Sequence, residues 1–193
     1  MTPRHRPLTQ DEAERLASTC RTLREKRVIW TLLDTGLRVS ELRDLTRERI
    51  APESHYLYAD APGGLREIPI TPRIAPLFDS WFSKHQSFGL SARSIERVVL
   101  EVVSRSGIER GVCAEALRHT FATAAARNGI LPKELQRLLG HRHLASTEVC
   151  FHLARGGGDS ARISFFRIHG RPTVLRLRRG SAGRSLAFLG WSK

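Results

Sequence analysis

Lysine is nearly missing from a strongly basic chain. Of 32 Lys plus Arg residues, only Lys26, Lys84, Lys133 and Lys193 are lysines. Tyrosine is scarcer still: Tyr56 and Tyr58 are the only two, and the C-terminal half has none. Cysteine is limited to Cys20, Cys113 and Cys150, an odd and scattered set without C-x-x-C spacing. That argues against a disulfide framework or a zinc site and fits a reducing cytoplasm. Neither a metal nor any other cofactor is expected. No apolar run approaches the length that spans a bilayer, and the N-terminal residues lack the apolar core of a signal peptide. The expectation is a cytoplasmic protein with no membrane partner.

What is present is arginine. Against 19 acids the basic residues leave a formal net charge of +13 and a pI near 11.1. A field of that sign favours a polyanion, and nucleic acid comes first because each neutralised phosphate releases condensed counterions. Arginine's planar fork also grips phosphate oxygens in pairs, as lysine does not. The hydrophobic share of 40% is ordinary for a folded protein, and 193 residues suit one domain with a core of useful size.

Thr9-Gln10-Asp11-Glu12 reads as a capping box opening a helix with Ala13, Leu16, Ala17, Cys20 and Leu23 on one face. A second helix runs through Val28, Ile29, Leu32 and Leu33 and stops at Gly36; a short third spans Val39 to Leu45. His55–Tyr58 and Arg66–Ile70 read as two strands joined by a longer loop around Pro62-Gly63-Gly64. Helices follow near Ile74–Phe82, Ser91–Ser104, Ala114–Arg127, Pro132–Leu139 and Ala145–Leu153, punctuated by Gly129, Pro132 and Gly140. The expected fold is mainly α with a small antiparallel β-sheet, an α+β domain over residues 1–153.

Residues 154–193 differ. They are rich in Arg, Gly and Ser, with Asp159 the only acid, and only Val174–Arg178 reads as a strand. This tail is expected to be poorly ordered or loosely packed. Two readings of it stand: added nonspecific affinity for DNA, or a segment never selected to fold here.

Two segments carry a more specific message. The first is Thr35-Gly36-Leu37-Arg38-Val39-Ser40-Glu41-Leu42, continuing to Leu45 and Ile50. The second runs Leu117-Arg118-His119-Thr120-Phe121-Ala122-Thr123, then Gly129, then Leu135-Gln136-Arg137-Leu138-Leu139-Gly140-His141, then Ser146-Thr147. Together, in that order around a hairpin, they resemble the signature boxes of the tyrosine recombinases, the phage integrases and their Xer-like relatives. The resemblance implies the catalytic fold of DNA breaking–rejoining enzymes, double-stranded DNA as partner, and site-specific DNA recombination or integration, as in a mobile element. It also implies partner subunits, either copies of this chain or a second recombinase. Relatives carry a separate helical DNA-binding domain before the first helix. With so few residues before Thr9, the expectation is that this domain is absent.

The chemistry explains the residue types. Transfer of a DNA strand passes through a phosphorane whose charge guanidinium groups can hold without a metal. The resemblance assigns Arg38 and Arg118 as phosphate-clamping arginines and His141 as a phosphate donor. His119 is read as packing within the fold. Arg66, in the hairpin, is a further candidate for DNA contact.

The sequence departs from the family's pattern at three places. Nine positions after His141, where the nucleophilic tyrosine belongs, stands Cys150. Glu115 occupies the place of a histidine that acts on the nucleophile's proton; it would either accept a proton or pair with Arg118. The hairpin lysine that acts as general acid is missing: its place falls near Ala61, and arginine holds its proton too tightly to replace it. A thiolate at Cys150 is a nucleophile in principle, but the side chain is shorter than tyrosine, and thiols are buried more often than they react. Strand cleavage is therefore expected to be impaired. The alternative is a catalytically inactive DNA-binding remnant or regulator derived from a mobile-element integrase.

Overall fold

The computed structural model describes residues 5–51, 55–62 and 64–156, together with the backbone of four short strands beyond them. Helix α1 (Gln10–Thr19) starts at the expected capping box: Glu12 N donates to Thr9 Oγ1 at 3.2 Å, and Thr9 N donates to Glu12 Oε2 at 2.8 Å. The helix stops sooner than expected. Cys20 is extended, and Thr22 with Glu25 forms a second capping box that opens α2 (Leu23–Thr35). Leu23 therefore leaves the face of α1 and is 67% exposed. A Thr-x-x-Glu pair satisfies orphan amides at a new helix start, and that outweighs continuing the first apolar stripe.

Helix α2 ends at Gly36, with φ 62°. A Cβ there would lie 2.4 Å from Phe121 Cδ1, so glycine allows both the left-handed turn and the close approach of the next layer. Helix α3 (Val39–Arg43) is shorter than the expected span to Leu45. Leu42 and Leu45 are buried, whereas Val39 is half-buried.

After a 3-10 turn at Arg47–Arg49 come β1 (Ile50–Ala51), β2 (Tyr56–Ala61) and β3 (Gly64–Pro69). They form one antiparallel sheet in that order, with Leu57 opposite Ile68 and Ala61 opposite Gly64. The strands thus reach the turn, and the connection is shorter than expected. Strand β1 is an addition; two residues carry no alternation from which to read it.

Helices α4 (Ala75–Phe82), α5 (Ala92–Arg105), α6 (Ala114–Arg127), α7 (Pro132–Leu139) and α8 (Ala145–Gly156) follow. Helix α6 is the hub. Ala116, Leu117, Phe121, Ala122, Ala124 and Ala125 are all buried, and the alanines among them let α2 and α8 approach closely. Its burial on most sides explains why an Ala-rich segment of weak amphipathicity is a stable helix: tertiary packing supplies what periodicity does not. Among the described residues no helix is long and apolar enough to cross a membrane.

Further on, β4 (Arg167–Ile168) pairs with β5 (Arg171–Pro172), and β6 (Leu175–Gly180) with β7 (Gly183–Phe188). Strand β6 matches the strand expected at Val174–Arg178. Strands β4, β5 and β7 are additions to that expectation, and the remaining residues of the expected loose tail beyond α8 lie outside the described residues.

Candidate active site

The ends of α2, α3, α6, α7 and the hairpin converge on one carboxylate. Glu41, on α3, accepts from Arg38 N at 2.7 Å and from Arg38 Nη1 at 3.1 Å. Arg66, on β3, grips the same carboxylate with both ends of its fork, Nη1 to Oε1 at 2.9 Å and Nη2 to Oε2 at 2.8 Å. Arg118 Nη1 lies 3.8 Å from Glu41 Oε2. Burial pushes the Glu41 carboxyl up, but hydrogen bonds and charge from Arg66, with the Arg38 amide and Arg118, outweigh it and hold the group below its usual range.

Arg118 is the largest of the fully buried side chains, 2% exposed. Its Nη1 donates to Gly36 O at 2.5 Å and its Nη2 to Leu139 O at 2.6 Å. Each carbonyl ends a helix, where backbone acceptors lack helical partners and the dipole is negative, so a cation is stabilised there. Burial lowers the Arg118 pKa to about 10, with Arg38 adding to the effect, and the group stays charged at neutral pH. Arg66 is built in similarly: besides Glu41 it donates through Nε to Leu138 O at 2.9 Å and through Nη1 to Asp60 O at 2.5 Å. Arg38 differs. It is the N-cap residue of α3, and its side chain is 41% exposed, so its guanidinium is the one of the three that faces solvent.

His141 follows Gly140, the left-handed cap of α7 with φ 63°. Burial first, then the charges of Arg118, Arg38, His119 and Arg66, lower its pKa to about 4, so the ring is neutral at pH 7. Its Nδ1 lies 3.0 Å from the hydroxyl of Thr147, a fully buried residue in the first turn of α8. Cys150 is one turn further along α8 and 1% exposed, with Sγ 4.0 Å from Ser146 O. Burial raises its thiol above the ordinary value despite the nearby Arg118 charge. Glu115 sits at the rim, 46% exposed, with Oε1 3.9 Å from Arg118 Nε and 3.7 Å from His119 Nε2. His119 is half-buried, and burial lowers its pKa.

The structure therefore brings Arg38, Arg118 and His141 into one electrostatic neighbourhood, with Cys150 and Glu115 adjacent through Arg118. It places Arg66 inside the scaffold, with its fork occupied. Two residues of the site were not assigned by sequence reasoning. Glu41 lies three positions after Arg38 in the first motif, the spacing of a helical side-chain pair, and that spacing was the available signal. Thr147 stood in the second motif, but no helical spacing pairs it with His141, which lies in the loop before α8. Among the described residues no group of His, Cys, Asp or Glu is arranged to hold a metal ion.

A mainly helical domain with a three-stranded antiparallel sheet and buried arginines on helix-end carbonyls defines the class. The model of the phage integrase family matches residues 6–155, and the chain belongs to that family. It is 30% identical over 155 residues to the tyrosine recombinase XerC of Listeria innocua, covering 69% of this chain and 51% of that protein. It is 28% identical over 161 residues to a tyrosine recombinase of Thermosipho africanus, covering 76% of this chain and 57% of that one. Among solved structures it resembles XerA recombinase, with a TM-score of 0.68 and 26% identity over 79% of this chain and 61% of that chain. The chain thus spans about half the length of the curated relatives it matches.

Proposed function

We propose that this domain binds double-stranded DNA in a site-specific recombination or integration setting, by holding a backbone phosphate among Arg38, Arg118 and His141. The observation that carries this reading is the enclosure of Arg118. A guanidinium buried on two helix-end carbonyls, with Arg38 close enough to lower its pKa, is positive charge fixed in place before any ligand arrives. Such charge costs little reorganisation when an anion binds, which is what phosphate recognition needs. In this reading Glu41 keeps the guanidiniums together. Arg66, which already donates from Nε, Nη2 and twice from Nη1, serves DNA through Glu41. Arg118 donates once from each Nη among the described residues and keeps N–H groups for a phosphate.

Cleavage of the strand is a separate matter, and here the reading is of an impaired or inactive enzyme. Cys150 stands where the resemblance puts the nucleophile, and its burial and raised pKa keep it a protonated thiol. A thiol in that state is a poor nucleophile. A DNA-binding regulator or remnant of a mobile-element integrase fits the same observation. Partner subunits, whether copies of this chain or another recombinase, belong to the same proposal.

The test is a binding titration on duplex DNA over a range of salt, with Arg38→Ala as the main variant because its exposed guanidinium can be removed without opening the core. The expected result is a loss of about tenfold or more in affinity at all sequences, with a log–log salt slope reduced by about one. Unchanged affinity and slope would remove the phosphate assignment.

A further inference from the structure

Thr147 is fully buried in the first turn of α8, and its hydroxyl meets His141 Nδ1 at 3.0 Å. Three threonines within the helices of this protein dispose of their hydroxyl proton differently, while the buried hydroxyls of Thr31 and Thr123 have no partner among the described residues. Thr19 donates to Arg15 O at 2.7 Å, Thr35 to Thr31 O at 2.6 Å and Thr120 to Ala116 O at 2.7 Å, each bonding back one turn. For Thr147 the residue one turn back is His143, which precedes α8, and among the described residues the hydroxyl makes no bond to the His143 carbonyl. Helical back-bonding is thus replaced by the contact to the imidazole.

The direction of that contact matters. Neutral imidazole has one N–H and one lone pair, and which nitrogen carries the proton is decided by the partner of the other. If Nδ1 carried the proton and donated to Thr147, the threonine's own proton would be left without an acceptor in a buried place. If the hydroxyl donates, both groups are satisfied, and Nε2 is left as the N–H. The surroundings also matter, since Arg118, Arg38 and Arg66 all bear on this ring. A bare lone pair on Nε2 suits those cations, whereas an N–H suits a phosphate oxygen placed among them. The hydroxyl is the group that tips the choice before an anion arrives.

We propose that Thr147 is a positioning residue: its hydroxyl donates to His141 Nδ1 and so fixes the tautomer that presents Nε2–H for donation to a phosphate oxygen. This deepens the phosphate reading given above and rests on it for its purpose, but the tautomer can be measured without DNA.

The experiment is nitrogen-15 NMR of the histidine rings in the full chain near pH 7, with His141 assigned by loss of its signals in His141→Gln. Wild type should show a non-protonated, hydrogen-bond-accepting Nδ1 and a protonated Nε2. Thr147→Val, which keeps the shape and removes the hydroxyl, should move the ring towards the other tautomer and lower affinity for duplex DNA by about fivefold. Thr147→Ser should restore both. A wild-type spectrum with the proton on Nδ1 overturns the proposal without need of any variant. So does a Thr147→Val spectrum in which the tautomer is unchanged. If the tautomer moves as expected but neither Thr147→Val nor His141→Gln weakens DNA binding, the positioning role is supported and the phosphate reading fails.

Discussion

Arg66 and Glu41 meet fork to fork, Nη1 on Oε1 at 2.9 Å and Nη2 on Oε2 at 2.8 Å, with the arginine side chain only 5% exposed. Two parallel charge-assisted bonds tie the hairpin to the short helix α3 that presents Arg38. Removing the carboxylate leaves Arg66 and Arg118 without it in a low-dielectric place. Glu41→Ala is therefore expected to destabilise the fold by about 3 kcal/mol or more, read as a lower midpoint in urea denaturation. Glu41→Gln, which keeps the shape and one acceptor oxygen, should cost less.

Most of the fold was legible in the residues, for reasons that can be named. Helix α7 was bounded by Pro132 and Gly140, and α6 was followed by Gly129; both spans agree with the structure residue for residue. Boundaries failed where two signals competed in a short space. The second capping box at Thr22–Glu25 cut off an apolar stripe that otherwise continued to Leu23. The site was half legible. Motif spacing named Arg38, Arg118 and His141, but burial of Arg66 and Cys150 depends on pairing and packing between distant segments, which no local pattern records.

Acidity should weaken the protein in two stages. His141 and His119 have folded pKa values below that of an exposed histidine, so the unfolded chain takes up their protons first, and stability falls as pH drops below about 6.5. Glu12, Glu25 and Glu41 are also depressed; burial opposes this, but arginine partners and backbone amides outweigh it. Their contribution is present above the unfolded carboxyl value and is lost as pH falls below about 4.3. Denaturant midpoints measured from pH 8 to pH 3 check this, and His141→Gln should flatten the upper stage while leaving the lower one.

Gly36 carries a double demand, a φ of 62° and a site for Cβ only 2.4 Å from Phe121 Cδ1. Gly36→Ala should cost about 2 kcal/mol or more, the left-handed backbone accounting for about half. Because the Gly36 carbonyl accepts from Arg118, affinity for DNA should fall in the same variant even where it remains folded.

The thiols offer a check on burial that needs no DNA. Cys20 and Cys150 are buried and their pKa values are raised, that of Cys20 to about 11, whereas Cys113 is half-buried. A thiol-specific reagent should therefore label Cys113 first in the native protein and reach the other two only in denaturant. Rapid native labelling that persists in Cys113→Ser and is lost when Cys150→Ala is added would contradict the placement of Cys150.

The central claim is that the site retains its phosphate clamp while Cys150 does not cut. Its most direct test is a search for covalent protein–DNA adducts on denaturing gels, using nicked suicide duplexes from the DNA flanking the protein's own gene. Wild type, Cys150→Ala and Cys150→Tyr are compared. The account predicts salt-sensitive binding by all of them and no adduct with wild type or Cys150→Ala; an adduct with Cys150→Tyr alone would show a pocket complete but for its nucleophile. A wild-type adduct that disappears in Cys150→Ala would contradict the account and establish the thiol as the nucleophile.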